Sequence, residues 1–436
     1  MNLHLQKPKV KSEKSQVKIT GSKSETNRLL LLQALYPNIS LENVSNSDDS
    51  EVMENIIHNS QLPTVTLSAV EVPQLFNVHH AGTAMRFLTA YFAIQEGKEV
   101  ILTGSSRMKE RPIKILVEAL QQLGAEIYYE ENEGFPPIKI KGKKLTNNKV
   151  SLPANVSSQY ISALLLIAPK LENGLELTLQ GEITSIPYIN MTLALLKEIG
   201  VKTSFIENKI TVKPLLTINS KLLTIESDWS SASYWYSIVA LSEIGTQITL
   251  SSYKQNSLQG DSALVEIYNN FGVETIFNND NSITISKTSN LKLDSSECEL
   301  AKQTLNFELN NCPDIAQTIA VTCFGLGIGC HLTGLHTLKI KETDRLEALK
   351  NELTKLGANV SVTNDSLTLE PSEKINKNIS IKTYQDHRMA MAFAPLALIV
   401  PIIIEEAEVI SKSYPTFWDD LKSVGFTITT NCNSKM

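Results

Sequence analysis

The sequence predicts an α/β (α+β) protein of two domains, each built from three repeats with helices inside and sheets outside. Two recurring segment types predict this. In LVEALQQLGAEIYYE, LALLKEIGVKTSFIE, LVEIYNNFGVETIF, LKNELTKLGANVSVT and WDDLKSVGFTITT, apolar residues recur at helical spacing, a glycine follows, and an alternating stretch then reads as a strand. Gly124, Gly200, Gly272, Gly357 and Gly425 each stand where a helix ends best on a left-handed residue. They lie roughly 70 to 85 residues apart, longer than a usual solenoid repeat.

The second type has the opposite polarity. GSKSETNRLLLLQAL, HAGTAMRFLTAYFA, NVSSQYISALLLIA, SDWSSASYWYSIVA, NCPDIAQTIAVTCF and YQDHRMAMAFAPLAL each run from a polar cluster into an apolar helix, with Ser24, Ser158, Ser231 and Asp386 as N-caps or their neighbours. Helices apolar on all sides predict burial, and alternating strands predict one solvated face. The two types interleave into six repeats. The first is cut down: EVMENIIHNSQLPTVTL supplies its second helix and strand and lacks the terminal glycine. A chain of 436 residues exceeds one ordinary core, and six repeats fill two domains.

Composition narrows the function. A net charge of −6 argues against a nucleic-acid binder. Five cysteines without a CxxC pattern argue against a disulfide scaffold or structural zinc and for reduced thiols in the cytoplasm. MNLHLQKPKVKSEKS has no apolar core of a signal peptide. MAMAFAPLALIVPIII is too short to span a membrane and holds Pro395 and Pro401, so it reads as a buried helix entering a buried strand.

The polar clusters share one position, the N-terminus of an inward helix, where unpaired N–H groups and the helix dipole attract anions. Several carry cations: Lys23 and Arg28, Arg86, Arg388, and Lys341 with Arg345, while RMKERPI adds Arg107, Lys109 and Arg111. One such cluster alone reads as a cap with solvated charges, and His387, Tyr188 or Tyr384 alone as packing. Recurrence at the same point of a repeat points instead to substrates rich in phosphate and carboxylate. GSKS lacks the full phosphate-binding loop, and GLGIG lacks the strand that a dinucleotide fingerprint needs.

GSKSETNR, AGTAMR, RMKERPI, VSSQ, SIPYI, PDIA, IKETDRL, YQDHRMAM and SKSYPTFWDDL occur in this order over nearly the whole chain. As a set they resemble the 5-enolpyruvylshikimate-3-phosphate synthase (3-phosphoshikimate 1-carboxyvinyltransferase) family of enolpyruvyl transferases. The resemblance implies two domains of three βαβαββ-type units with the substrates bound between them. It also implies domain limits of 1–20 plus 227–436 and of 21–226, closure on shikimate 3-phosphate, a monomer, and no metal or organic cofactor.

The implied reaction is attack of the 5-hydroxyl of shikimate 3-phosphate on phosphoenolpyruvate, a tetrahedral intermediate, and loss of phosphate. The implied phosphoenolpyruvate site is Lys23, Gly82, Thr83, Arg111, Gln159, Arg345, His387, Arg388 and Lys412. The implied shikimate 3-phosphate site is Lys23, Ser24, Arg28, Ser157, Ser158, Gln159, Ser185, Tyr188, Asp314 and Lys341. Asp314 is the implied base and Glu342 the proton carrier, with Lys23 sharing that work and Asp344 holding Arg345 in place. The chain departs from the family pattern at His80, where Asn is usual, at Phe87, where Pro is usual, and at Thr337, where Asn is common. The sister enzyme acting on UDP-N-acetylglucosamine is disfavoured because no cysteine precedes Cys298. A non-catalytic binder of phosphometabolites is disfavoured by the presence of Lys23, Asp314, Lys341 and Glu342.

Overall fold

The structure, a computed structural model, describes residues 1–6, 15–62, 73–154, 157–181, 183, 186–289 and 304–430. The chain divides into two compact domains: an inserted domain, Gly21–Ile225, and a terminal domain, Met1–Thr20 with Glu226–Met436. In chain order the helices are α1 (Lys23–Leu35), α2 (Asp48–Gln61), α3 (Gly82–Ala93), α4 (Ser106–Lys109), α5 (Lys114–Gln122), α6 (Ser158–Ile167), α7 (Ile186–Glu198), α8 (Trp229–Ala240), α9 (Leu264–Asn269), α10 (Ala316–Leu326), α11 (Arg345–Lys355), α12 (His387–Phe393) and α13 (Phe417–Ser423).

The six polar-to-apolar segments become α1, α3, α6, α8, α10 and α12. Their side chains are buried nearly all round, as in α3, where Phe87, Leu88 and Phe92 are all fully buried, and α8, which buries Trp229 and Trp235. Each such side chain contributes about 1.5–3 kcal/mol by leaving water. The helices ending in glycine are α5, α7, α9, α11 and α13, and each of the five glycines has a positive φ. At α5 the N–H of Gly124 donates to Gln121 and that of Ala125 to Leu120, and α7, α11 and α13 close with the same pair of bonds. These satisfy carbonyls that the helix end leaves open.

The sheets repeat one pattern, a parallel pair followed by two antiparallel neighbours. In the inserted domain one sheet runs Gln74–Asn77, Glu99–Thr103, Ile138–Lys141, Glu126–Tyr129, and another runs Lys149–Pro153, Leu175–Gln180, Lys209–Val212, Thr203–Ile206. In the terminal domain Thr304–Glu308, Gly329–Thr333, Leu367–Leu369 and Val360–Val362 do the same. Each arrangement is strand, helix, strand, helix, hairpin. Buried and open positions alternate along the strands, as in Leu175–Gln180.

The remaining sheets take strands from distant parts of the chain. Ser15–Val17 lies parallel to Gln247–Leu250 and stands as the first strand of the repeat containing α8. Lys221–Thr224 lies parallel to Ile39–Glu42 and plays that part for the repeat containing α1. Leu3–Gln6 fills the third place beside Ile402–Ile404 and Thr427–Thr430. The two repeats flanking the passages between domains have therefore exchanged their first strands. At the first passage Gly21 has no alternative, since a Cβ there would stand 1.8 Å from the Asn43 carbonyl oxygen. The α1 repeat shows a two-stranded sheet among the described residues, while its expected second strand falls in 63–72, outside them. MAMAFAPLALIVPIII runs from α12 through a 3-10 turn, Ala394–Leu398, into Ile402–Ile404, a buried helix entering a largely buried strand. Among the described residues no helix is long and apolar enough to cross a membrane.

Candidate active site

In the inserted domain Lys23, Ser24, Gly82, Thr83, Ser157, Ser158 and Gln159 stand at the starts of α1, α3 and α6. Lys23 opens α1, and its Nζ lies 3.7 Å from Asp49, an acidic residue in the first turn of α2. Ser22 is the N-cap of α1, so Ser24 sits inside the first turn. Ser157 caps α6 by accepting from the Gln159 N–H, and Ser158 begins the helix. The Gln159 amide donates to the Thr83 hydroxyl at 3.1 Å, tying α6 to α3. The Arg111 guanidinium lies against Gly82, where an added Cβ would meet it at 2.6 Å. Glycine therefore lets this arginine reach the first turn of α3.

Arg28 is buried, and its donors go to neutral acceptors. Nε donates to Thr192 (2.8 Å), Nη1 to the Ser24 carbonyl (2.7 Å), and Nη2 to Ser162 (3.0 Å) and the Tyr188 carbonyl (3.4 Å). Its Cζ stands over the Phe87 ring at 5.5 Å and the Tyr188 ring at 6.0 Å. Burial pushes the Arg28 pKa down to about 10, against weaker support from Tyr188 and Glu25. Arg86 resembles it: Nη1 donates to the Gly82 carbonyl and Nη2 to that of Pro112, and burial, with Arg111 nearby, lowers its pKa to about 10. Arg107 and Lys109 instead form exposed pairs with Glu110 and Glu131, so of the RMKERPI cations only Arg111 turns to the site. Phe87 is fully buried and packs beneath Arg28. His80 is exposed, with Nδ1 2.9 Å from the Ser105 hydroxyl. Ser185 lies outside the described residues.

The terminal domain assembles a network of opposite charges. Asp314 sits in a 3-10 turn, Pro313–Ile315, leading into α10. Arg345 opens α11, and its guanidinium meets three carboxylates: Nε with Asp386 (2.6 Å), Nη1 with Asp314 (2.8 Å) and Nη2 with Glu342 (2.8 Å). Lys341 Nζ and Arg388 Nη2 approach Asp314 at 3.5 and 3.4 Å. Arg388 also donates to the Asp314 carbonyl and the Ser230 hydroxyl. Burial alone would lower the pKa of Arg345, but Asp386, Glu342 and Asp314 together more than reverse it. The same opposition, led among the raising groups by Asp314, lifts Arg388. Of the three carboxylates on Arg345, Asp386 is fully buried, Asp314 12% exposed and Glu342 31% exposed. Glu342 is thus the one most open to a ligand.

Asp344 differs from its expected part. Its carboxylate caps α11, accepting from the N–H groups of Leu346 and Glu347. Arg345 is held by Asp314, Glu342 and Asp386 instead. His387 is buried at the start of α12, with Nδ1 3.9 Å from Asp386. Lys412 Nζ donates to the Gln385 carbonyl. Thr337, in the 3-10 turn before Lys341, keeps its hydroxyl oxygen buried with no hydrogen-bond partner among the described residues.

Sequence reasoning missed Asp261, which accepts from the Ser230 hydroxyl and so stands one residue from Arg388. Burial, then Asp314, raises its pKa to about 7. It also missed Ser162 and Thr192, buried hydroxyl residues of α6 and α7 that bond Arg28. Among the described residues no three His, Cys, Asp or Glu side chains group as a metal site.

Comparison with known proteins decides the family. The family model for EPSP synthase (3-phosphoshikimate 1-carboxyvinyltransferase) matches residues 8–421. This chain belongs to the EPSP synthase family. A 3-phosphoshikimate 1-carboxyvinyltransferase of Bacteroides fragilis (strain YCH46) is 44% identical over 419 residues, covering 95% of this chain and 96% of that one. One from Haemophilus influenzae (strain Rd) is 36% identical over 433 residues, covering 94% and 96%. The EPSP synthase structure from Acinetobacter baumannii superposes with a TM-score of 0.79 at 20% identity, over 99% of this chain and all of that one, a likeness of fold. Membership carries the six-repeat, two-domain architecture and makes the chain an enzyme.

Proposed function

We propose that this enzyme transfers the enolpyruvyl group of phosphoenolpyruvate to the 5-hydroxyl of shikimate 3-phosphate, releasing phosphate on the way to chorismate and the aromatic amino acids. The observation that carries the reading is the cluster of Asp314, Lys341, Glu342, Arg345 and Arg388, which joins proton-transfer groups to fixed cations within 3.5 Å of one carboxylate. The family and the names of its relatives support the same substrates.

Ser24, Arg28, Ser157, Ser158, Gln159, Ser185 and Tyr188 hold shikimate 3-phosphate. Lys23, Gly82, Thr83, Arg111, Gln159, Arg345, His387, Arg388 and Lys412 hold phosphoenolpyruvate. Asp314, beside Lys341, takes the proton of the 5-hydroxyl as its oxygen bonds to the central carbon of phosphoenolpyruvate. Glu342 gives a proton to the methylene carbon, assisted by Lys23, and a tetrahedral intermediate forms. That methyl carbon then returns a proton to the Glu342 carboxylate as the C–O bond to phosphate breaks, restoring the double bond and releasing phosphate. The incoming phosphate and carboxylate compete with Asp314 and Glu342 for the same arginine donors, which couples binding to release of the proton-transfer groups. The chemistry requires no metal or organic cofactor, and the enzyme works as a cytoplasmic monomer.

The test is phosphate release from phosphoenolpyruvate with shikimate 3-phosphate, run beside UDP-N-acetylglucosamine as acceptor. Release with shikimate 3-phosphate alone is expected. Release with neither would sink the reading. Glu342→Gln should lower kcat by about 10²–10⁴-fold while leaving shikimate 3-phosphate binding intact. Near-normal turnover in that variant would remove Glu342 from its role.

A further inference from the structure

We infer that Glu352 is a positioning residue for the phosphoenolpyruvate clamp, holding from α11 the Lys382–Gln385 turn that sets Asp386, Arg388 and the contact of Lys412. The inference rests on the proposed function, since the clamp is defined by it.

Glu352 lies two helical turns beyond Arg345, on the same face of α11. It is fully buried, although glutamate is seldom so. Both of its oxygens are engaged. Oε1 accepts from the Tyr384 hydroxyl at 2.7 Å, Oε2 accepts from the Lys382 N–H at 3.1 Å, and Lys355 Nζ reaches both at 2.8 and 2.7 Å. The turn so gripped has an unfavourable backbone. Tyr384 and Gln385 are consecutive non-glycine residues with φ of 55° and 57°. A bulky residue in that region is an outlier that persists only where its surroundings over-determine it. The Lys382 ammonium over the Tyr384 ring, 5.3 Å from its centroid, adds a second hold.

The clamp begins directly after this turn. The Gln385 carbonyl accepts from Lys412 Nζ at 2.8 Å. Asp386 Oδ1 accepts from the Arg388 N–H at 2.9 Å, capping α12, and Oδ2 meets Arg345 Nε. The two left-handed residues lie directly before the Asp386 carboxylate that meets Arg345, and the second of them carries the carbonyl that meets Lys412. A single buried carboxylate thereby fixes three cations of the clamp relative to the helix that carries one of them. A purely structural ion pair with Lys355 would need neither Tyr384 nor Lys382.

The test compares Glu352→Gln and Tyr384→Phe with the wild type in the full chain, reading both KM values, kcat and the melting temperature. Misplacing the clamp should raise KM for phosphoenolpyruvate about tenfold in E352Q and about threefold in Y384F, with KM for shikimate 3-phosphate changed less than about twofold. A lower melting temperature with both KM values unchanged would overturn the inference. Should E352Q fail to fold, Y384F decides alone, because it keeps the carboxylate and its lysine. A wild type inactive with both substrates would overturn the functional reading and the inference with it. An active wild type with unaltered variants overturns only the inference.

Discussion

The two domains each bury arginines within the first two turns of a helix, yet treat them oppositely. In the inserted domain Arg28 and Arg86 donate to hydroxyls and carbonyls, and burial pulls both pKa values down to about 10. In the terminal domain Arg345 and Arg388 are as deeply buried, yet carboxylates raise theirs. In the first arrangement the donors of Arg28 and Arg86 meet hydroxyl and carbonyl oxygens rather than paired carboxylates. The second has matched charge already, in the carboxylates of Asp314, Glu342 and Asp386. Burial of the same residue type therefore means different things in the two halves, and the partner decides which.

The sharpest way to break this contrast is to remove one arginine from each half. Arg345→Met leaves Asp386, Asp314 and Glu342 without their shared cation and should cost about 3–5 kcal/mol of stability. Arg28→Met removes a desolvated charge along with its hydrogen bonds, and should cost only about 1–2 kcal/mol while weakening shikimate 3-phosphate at least about tenfold. Chemical denaturation and ligand titration check both, and equal stability losses would erase the distinction. A smaller effect is expected at Gly82→Ala. Its Cβ would stand 2.6 Å from Arg111 Nη1, so this cation must move, and KM for phosphoenolpyruvate should rise about tenfold with little change in folding.

Asp261 sharpens the comparison through pH. Its folded pKa, about 7, lies above the usual 3.8, so the folded state holds its proton more tightly than the unfolded chain does. The stability this brings is complete below the unfolded value and is lost as pH rises through about 7. Asp314, Arg388, Ser230 and Asp228 are the groups acting on it. Asp261→Asn should flatten the fall in melting temperature between those two pKa values, and an unchanged profile would refute the assignment. The smallest effect belongs to Asp344→Ala, which removes the cap of α11 and should cost about 1 kcal/mol in a thermal melt.

Much of the fold was legible in local chemistry. A C′ glycine and an N-cap act through bonds within one turn, so Gly124, Gly200, Gly357 and Gly425 mark helix ends directly, as Ser157 and Asp386 mark helix starts. The RMKERPI charges were less legible, because Arg107 and Lys109 find Glu110 and Glu131 at the surface while Arg111 turns to Gly82. Asp344 misled as well: the resemblance implied a hold on Arg345, but an aspartate before a helix is bonded by the N–H groups ahead of it.

The sequence by itself determined the six repeats, the inward helices, and the placement of polar residues at their N-termini. These depend on periodicity and capping, which extend over a few residues. Only the tertiary structure decided that Ser15–Val17 and Lys221–Thr224 exchange places, that Arg28 meets hydroxyls while Arg345 meets carboxylates, and that Glu352 reaches Tyr384. Strand pairing and charge compensation join residues tens to hundreds of positions apart. Their energies depend on burial and on which partner arrives, and no local pattern records either.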